Sequence, residues 1–180
     1  MNLNHPDILL EALTELNQWL ETQGIILELE IIGSFALYLR GISYIRTQDI
    51  DTVQNLDEQV MEEVTKIASK RGLIPLWLND NAVDLPKPPG FETRLTEKKI
   101  GNHLLLKFAS RLDLIQLKGA AYIDRGNENP KDLIDLKLLC PTVEEIHMAI
   151  EFIRRTRSPE KPRFYPNFEQ MIEDIRNVGK

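Results

Sequence analysis

The chain reads as an α/β fold: a small mixed β-sheet flanked by helices, with a helical carboxyl-terminal half. Three observations predict it. Apolar residues recur at helical spacing before the first apolar run and again after Asp57. Short apolar runs bounded by glycines alternate with those helices, and from Ser110 onward the pattern is helical. At 180 residues, 42% hydrophobic and 28% charged, the chain can bury a core without disulfides, and its composition argues against disorder.

Leu9, Leu13, Leu16 and Leu20 follow Pro6, a good first-turn residue, and predict an amphipathic helix over 6–22 that ends before Gly24. Ile25 to Ile32 is expected as a strand, Ser34 to Leu39 as a short helix closed by Gly41, and Gln48 to Gln54 as the next strand. The stripe Val60, Val64, Ile67 and Ala68 predicts a core-facing helix over 57–71, ended by Gly72. Trp77, Asp80, Asp84 and the Pro86 to Gly90 cluster predict a short extended piece and then a long loop over 73–92. Arg94 to Ile100 and His103 to Phe108 flank Gly101-Asn102, a two-residue connection with glycine first, which predicts an antiparallel hairpin on a type II′ turn.

Ser110 with Asp113 predicts a capped helix through Ala121, Asn129 and Pro130 open another through Leu139, and Thr142 with Glu145 opens a third through Arg155. Tyr165 to Val178 makes the last helix, with Phe168, Met171, Ile172 and Ile175 on one side. The expected division is an α/β core over residues 1–109 and a helical region over 110–180 packed on it. Trp19 and Trp77 are expected as packing rather than base-stacking residues, with a pocket lining the alternative for Trp77 beside the long loop, and Cys140, at a helix end before Pro141, is expected in the core.

No apolar run is long enough to span a bilayer, the amino terminus lacks a secretory signal, and the single cysteine cannot form an intramolecular disulfide. A cytoplasmic protein with no membrane partner is expected. With 22 basic and 28 acidic residues the net charge is −6, so general affinity for nucleic acid is not implied. Arg154, Arg155, Arg157, Lys161 and Arg163 nevertheless make a local basic stretch. His5, His103 and His147 have no ligand spacing, which argues against a zinc site.

The candidate chemistry lies between Gly33 and Asp51. In a strand Asp49 and Asp51 project to one side and Ile50 to the other, so two carboxylates share a small volume. A hard divalent cation, Mg²⁺ or Mn²⁺, relieves that repulsion with one or two carboxylates and substrate phosphates as ligands. Gly33-Ser34 lies between an apolar strand and a short helix, where backbone N–H groups favour an anion. Arg46 beside the acidic pair suits a phosphate contact.

Gly33-Ser34, the run Arg46-Thr47-x-Asp49-x-Asp51, and a later Leu114-Ile115-x-Leu117-Lys118 helix followed by Arg125 and Lys131-Asp132-x-x-Asp135 resemble the nucleotidyltransferase superfamily. Within it the chain resembles the AbiEii-type branch, whose members include toxins of bacterial toxin–antitoxin systems. The resemblance spans roughly residues 25–140. It implies a nucleotidyltransferase-like sheet in which Gly33, Ser34, Arg46 and Thr47 bind a nucleoside triphosphate and Asp49 and Asp51 hold the metal against its α-phosphate. Lys118 would act on phosphate, and Asp132 or Asp135 would position Lys118 or orient an attacking hydroxyl. The implied partners are a nucleoside triphosphate, an RNA or protein acceptor, and a cognate antitoxin.

One departure stands out. Many polymerase-like members carry a third carboxylate on a neighbouring strand, whereas His103 to Phe108 offers only Lys107. Either Asp84, Asp132 or Asp135 substitutes, or the protein is a catalytically inactive nucleotide-binding or antitoxin-like chain. A small RNA-binding adaptor using Arg154 to Arg163 is the further alternative.

Overall fold

Leu9, Leu13, Leu16 and Leu20 are fully buried along the first helix, α1 (Pro6–Gln23), as their spacing requires. In the computed structural model, residues 6–42, 46–125, 131–157 and 168–178 are described, the side chain of Phe168 excepted. His5, the Asn129-Pro130 helix opening, Lys161, Arg163 and the expected lead-in from Tyr165 lie outside the described residues. Two compact units emerge, Met1–Leu85 with Glu92–Ala109, and Pro86–Phe91 with Ser110–Lys180.

The first unit is an α/β sandwich. After α1 come β1 (Leu27–Ile32), α2 (Gly33–Leu39), β2 (Ile50–Thr52), α3 (Glu58–Arg71), β3 (Leu78–Asn79), a 3-10 turn at Phe91–Arg94, β4 (Thr96–Ile100) and β5 (Leu104–Phe108). The sheet order is β3-β2-β1-β5-β4, mixed as expected: β1 runs parallel to β5 and antiparallel to β2, and β4 is antiparallel to β5. Leu29 and Ile31 register with Leu106 and Phe108, and all four are buried on the face against which α1 lies. The other face is polar, with Lys107 between Glu30 of β1 and Glu97 of β4. Helix α3 buries Val60, Val64, Ile67 and Ala68, the predicted stripe. Its underside also receives Trp77, wholly buried with its indole N–H donating to Val64 O at 2.9 Å.

The hairpin differs from its expectation. Ile100 pairs with Leu104, so three residues, Gly101 to His103, connect the strands instead of two. The cause is long-range: the His103 N–H donates to Asn17 Oδ1 of α1 at 2.9 Å, and its carbonyl accepts from the Leu27 N–H at 2.9 Å, which removes His103 from the β4–β5 ladder. Gly101 has φ +65, and a Cβ there would sit 2.3 Å from Asn17 Nδ2, so only glycine fits. The strands are also shorter than expected. β1 begins at Leu27, leaving Ile26 72% exposed, and β2 keeps three residues because its ladder partners end at Thr52. Helix α2 closes as expected, with the Gly41 N–H donating to Tyr38 O and the Ile42 N–H to Leu37 O.

The second unit is helical. It contains α4 (Arg111–Arg125), α5 (Lys131–Leu139), α6 (Val143–Thr156) and α7 (Phe168–Val178), with α4 packed against the other three. Both predicted caps form: the Asp113 N–H donates to Ser110 Oγ, and Thr142 and Glu145 exchange the two bonds of a capping box. Helix α4 runs to Arg125, past the expected Ala121. Met171, Ile172 and Ile175 are buried on one side of α7. Cys140 corrects the expectation of a core residue: it is exposed, with φ 45, where α5 ends. Arg111 holds that end by donating to Leu139 O and Cys140 O at 2.7 Å, and it pairs with Glu145 of α6. None of the described helices is long and apolar enough to cross a membrane.

Candidate functional site

The end of β1 sets the glycine against the acid. Ile32 pairs with Asp51 across the antiparallel β1–β2 ladder, and the next residue, Gly33, turns the chain into α2 with φ +72. A Cβ at Gly33 would lie 2.6 Å from Asp51 Oδ2, closer than two unbonded atoms tolerate. Glycine is thus demanded twice, by the left-handed backbone and by the carboxylate beside it. Ser34 follows in the first turn of α2 and is buried.

On β2 the alternation is as expected: Ile50 and Thr52 are buried, while Asp49 and Asp51 are half-exposed. Asp49 lies one residue before the strand begins, where no ladder bond orients it. Its Oδ1 accepts from the Thr47 hydroxyl at 2.9 Å, and that hydroxyl also lies 3.1 Å from Asp49 O. Thr47 is only 3% exposed. Among the described residues, Thr47 is the sole hydrogen-bond partner of the Asp49 side chain, and no cation pairs with it. Arg46 is exposed and, among the described residues, pairs with no carboxylate. Beyond Asp51, the parallel strand β3 places Asn79 in register with it; Asn79 is buried and anchored to Ile50 O and Leu76 O. Sequence inspection did not single out Asn79, since a two-residue parallel strand leaves no periodicity to read.

In the helical unit Lys118, Asp132 and Asp135 come together. The Lys118 ammonium on α4 lies 3.0 Å from Asp132 Oδ1 and 2.6 Å from Asp135 Oδ2, both on one face of α5. The second oxygen of Asp132 accepts from Arg125 at 2.9 Å. All three of the first-named side chains are more than nine-tenths buried, whereas Arg125 is 56% exposed. Two cations and two carboxylates balance in formal charge. Such burial is tolerated only because each charge has its counterpart within hydrogen-bonding range.

The Asp51 carboxylate thus fills the position a Cβ at Gly33 would take, and the Asp49 carboxylate follows from the segment just before β2. No third acid joins them: among the described residues no group of three or more His, Cys, Asp or Glu side chains is placed to share a cation. On β5, which offers no third carboxylate, Lys107 pairs with Glu28, and that hydrogen bond holds its ammonium above the usual lysine range. Asp84 is exposed in the loop after β3. Among the described residues of the basic stretch, Arg154 pairs with Glu169 at the surface and Arg157, 9% exposed, pairs with Asp124, while Arg155 is exposed.

A family model described as "Nucleotidyltransferase of unknown function (DUF6036)" matches residues 7–148. Searches of curated proteins and of solved structures gave no significant match.

Proposed function

Because the chain belongs to the DUF6036 family of nucleotidyltransferases of unknown function, we propose that its α/β unit binds a nucleoside triphosphate with Mg²⁺ or Mn²⁺ and transfers the nucleotidyl group to a hydroxyl of RNA or protein. The observation that carries this reading is the contact of the Gly33 backbone with the Asp51 carboxylate. That approach supports reading the turn before α2 as anion-accepting and Asp51 as a metal ligand.

In this reading Gly33 and Ser34 take the β- and γ-phosphates, Arg46 neutralises a phosphate oxygen, and Asp49 and Asp51 hold the cation. When bound, the cation neutralises the charge that develops on the transferred phosphate. The acceptor oxygen forms its bond to the α-phosphorus as the α–β bridging bond breaks, pyrophosphate departs, and the hydroxyl proton passes to a base. By resemblance Lys118 acts on phosphate, and the ion pairs within the helical unit support Asp132 and Asp135 as the residues that hold it. The AbiEii-like resemblance extends the proposal to a cytoplasmic toxin or toxin-like defence component with a cognate antitoxin.

Isothermal titration with ATP, GTP, CTP and UTP in Mg²⁺ tests the binding step, and label transfer from α-labelled triphosphate to RNA or protein tests the chemistry. Binding that is lost in Asp49→Ala with Asp51→Ala, together with transfer, is the expected result. Absence of binding to all four nucleotides would remove the proposal. A second reading, nucleotide binding without turnover, is favoured by Lys107 in place of a third acid, and it predicts binding with no label transferred.

A further inference from the structure

Asp49 sits outside the β2 ladder, so the orientation of its carboxylate must come from something other than sheet hydrogen bonds. Among the described residues, the one side chain that supplies it is two residues upstream. Thr47 is almost wholly buried, so its hydroxyl is poorly placed to meet a ligand, yet it lies within hydrogen-bonding distance of both Asp49 Oδ1 and Asp49 O. We propose that Thr47 is a positioning residue, whose hydroxyl occupies Asp49 Oδ1 and thereby leaves Oδ2 as the oxygen offered to a divalent cation. This replaces the phosphate contact expected of Thr47, and it rests on the reading of Asp49 and Asp51 as the metal-holding pair.

The physical argument is one of rotamer and lone pairs. A half-exposed carboxylate with no cation partner is free to turn about its terminal torsion, which is broad for aspartate. A donor fixed by burial holds the plane of the carboxylate and saturates one oxygen, as partners behind metal ligands commonly do. The hydroxyl has a single hydrogen, and it is used most effectively on the ionised oxygen, where a charge-assisted bond is stronger than one to a neutral carbonyl. Thr47 is 3% exposed, so its hydroxyl has little access to solvent to compete for the bond.

The test measures Mn²⁺ binding to the full chain by loss of the free-ion EPR signal, with and without ATP, GTP, CTP or UTP, and triphosphate binding in EDTA by calorimetry. Thr47→Val keeps the branched shape and removes the donor; Thr47→Ser keeps the donor. The expected result is Mn²⁺ affinity about 10-fold weaker or more in Thr47→Val. Affinity should be restored in Thr47→Ser, with binding in EDTA unchanged in both. If wild type takes up no Mn²⁺ under any of these conditions, the metal reading of Asp49 and Asp51 fails and this assignment with it. If wild type binds and Asp49→Asn does not, while Thr47→Val binds as wild type does, only the role of Thr47 is overturned. A loss of triphosphate affinity in EDTA equal to the loss of Mn²⁺ affinity overturns it too, by making Thr47 a nucleotide contact. Should Thr47→Val melt before it can be titrated, Thr47→Ala, which relaxes packing and removes the same donor, is compared with Thr47→Ser by the same criteria.

Discussion

Lys118→Met is the most telling single change, because it removes the one cation from a buried set of three charges and leaves the shape nearly intact. The ammonium lies 2.6 Å from Asp135 and 3.0 Å from Asp132, with side-chain exposures of 9%, 5% and 1%. Without it, Asp132 retains Arg125, but that side chain is 56% exposed and its charge is largely screened by water. Breaking one partner of a buried ion pair costs about 3–5 kcal/mol. For a chain of this size each kcal/mol lowers Tm by roughly 2–4 °C, so a fall of roughly 6–20 °C is expected. Thermal unfolding at neutral pH, followed by far-UV circular dichroism, reads that fall, and urea unfolding reads the free-energy loss itself. The triple change Lys118→Met, Asp132→Leu and Asp135→Leu should regain most of that loss, since neither charges nor unpartnered polar groups are then buried. A Lys118→Met variant within about 1 kcal/mol of wild type would refute the argument that this lysine is a buried counter-ion. Full recovery in the triple variant would mean that the cluster is not kept for stability, and so would strengthen its functional reading.

Gly33→Ala should cost about 1–2 kcal/mol from the left-handed backbone alone. It should also swing Asp51 aside, so Mn²⁺ binding falls more than stability does; a variant with wild-type stability would contradict φ +72. The Tyr122 phenol is pushed up to about 12, by burial first and by its hydrogen bond to Asp174 second. Its contribution to stability is therefore complete below the ordinary value of 10.0 and lost as pH rises from there towards about 12. In a spectrophotometric titration Tyr122→Phe should remove one late-ionising phenol, and removal of a step near pH 10 instead would count against this. Glu15 of α1 is held below 4.5, by its hydrogen bond to Lys70 first and by Arg71 as well. A depressed carboxyl gives stability that is present above the ordinary value and lost as pH falls through the lowered one. Glu15→Gln should thus cost up to about 1 kcal/mol at neutral pH and nothing in strong acid, as paired denaturation curves would reveal.

The helices were legible because their signals are local. Leu9 to Leu20 and Val60 to Ala68 carry their own periodicity, and Thr142 and Glu145 cap within one turn. What depended on distant partners was not. The turn at Gly101 to His103 was set by Asn17, more than eighty residues earlier in the chain, and Cys140 by Arg111. Within the candidate site, the order of Gly33, Asp49 and Asp51 could be read, and the ladder pairing Ile32 with Asp51 explains why. The inward-facing hydroxyl of Thr47 could not be read, because nothing in Arg-Thr-Gln-Asp says which way a side chain outside a strand will point. Lys118 is the intermediate case. Its sequence neighbours suggest a solvated lysine, and only the arrival of α5 with two acids on one face gives it a buried place.

Strand β4 closes one margin of the sheet, and four of its five residues, Thr96, Glu97, Lys98 and Lys99, stand in solvent. An uncovered margin is a template on which any stray extended polypeptide can lengthen the sheet. Adjacent ammonium groups of like sign make that growth unfavourable, since a second copy aligned there would bring lysine towards lysine. The same charges thus guard the protein's colloidal behaviour at high concentration, and their neutralisation would be felt first as precipitation.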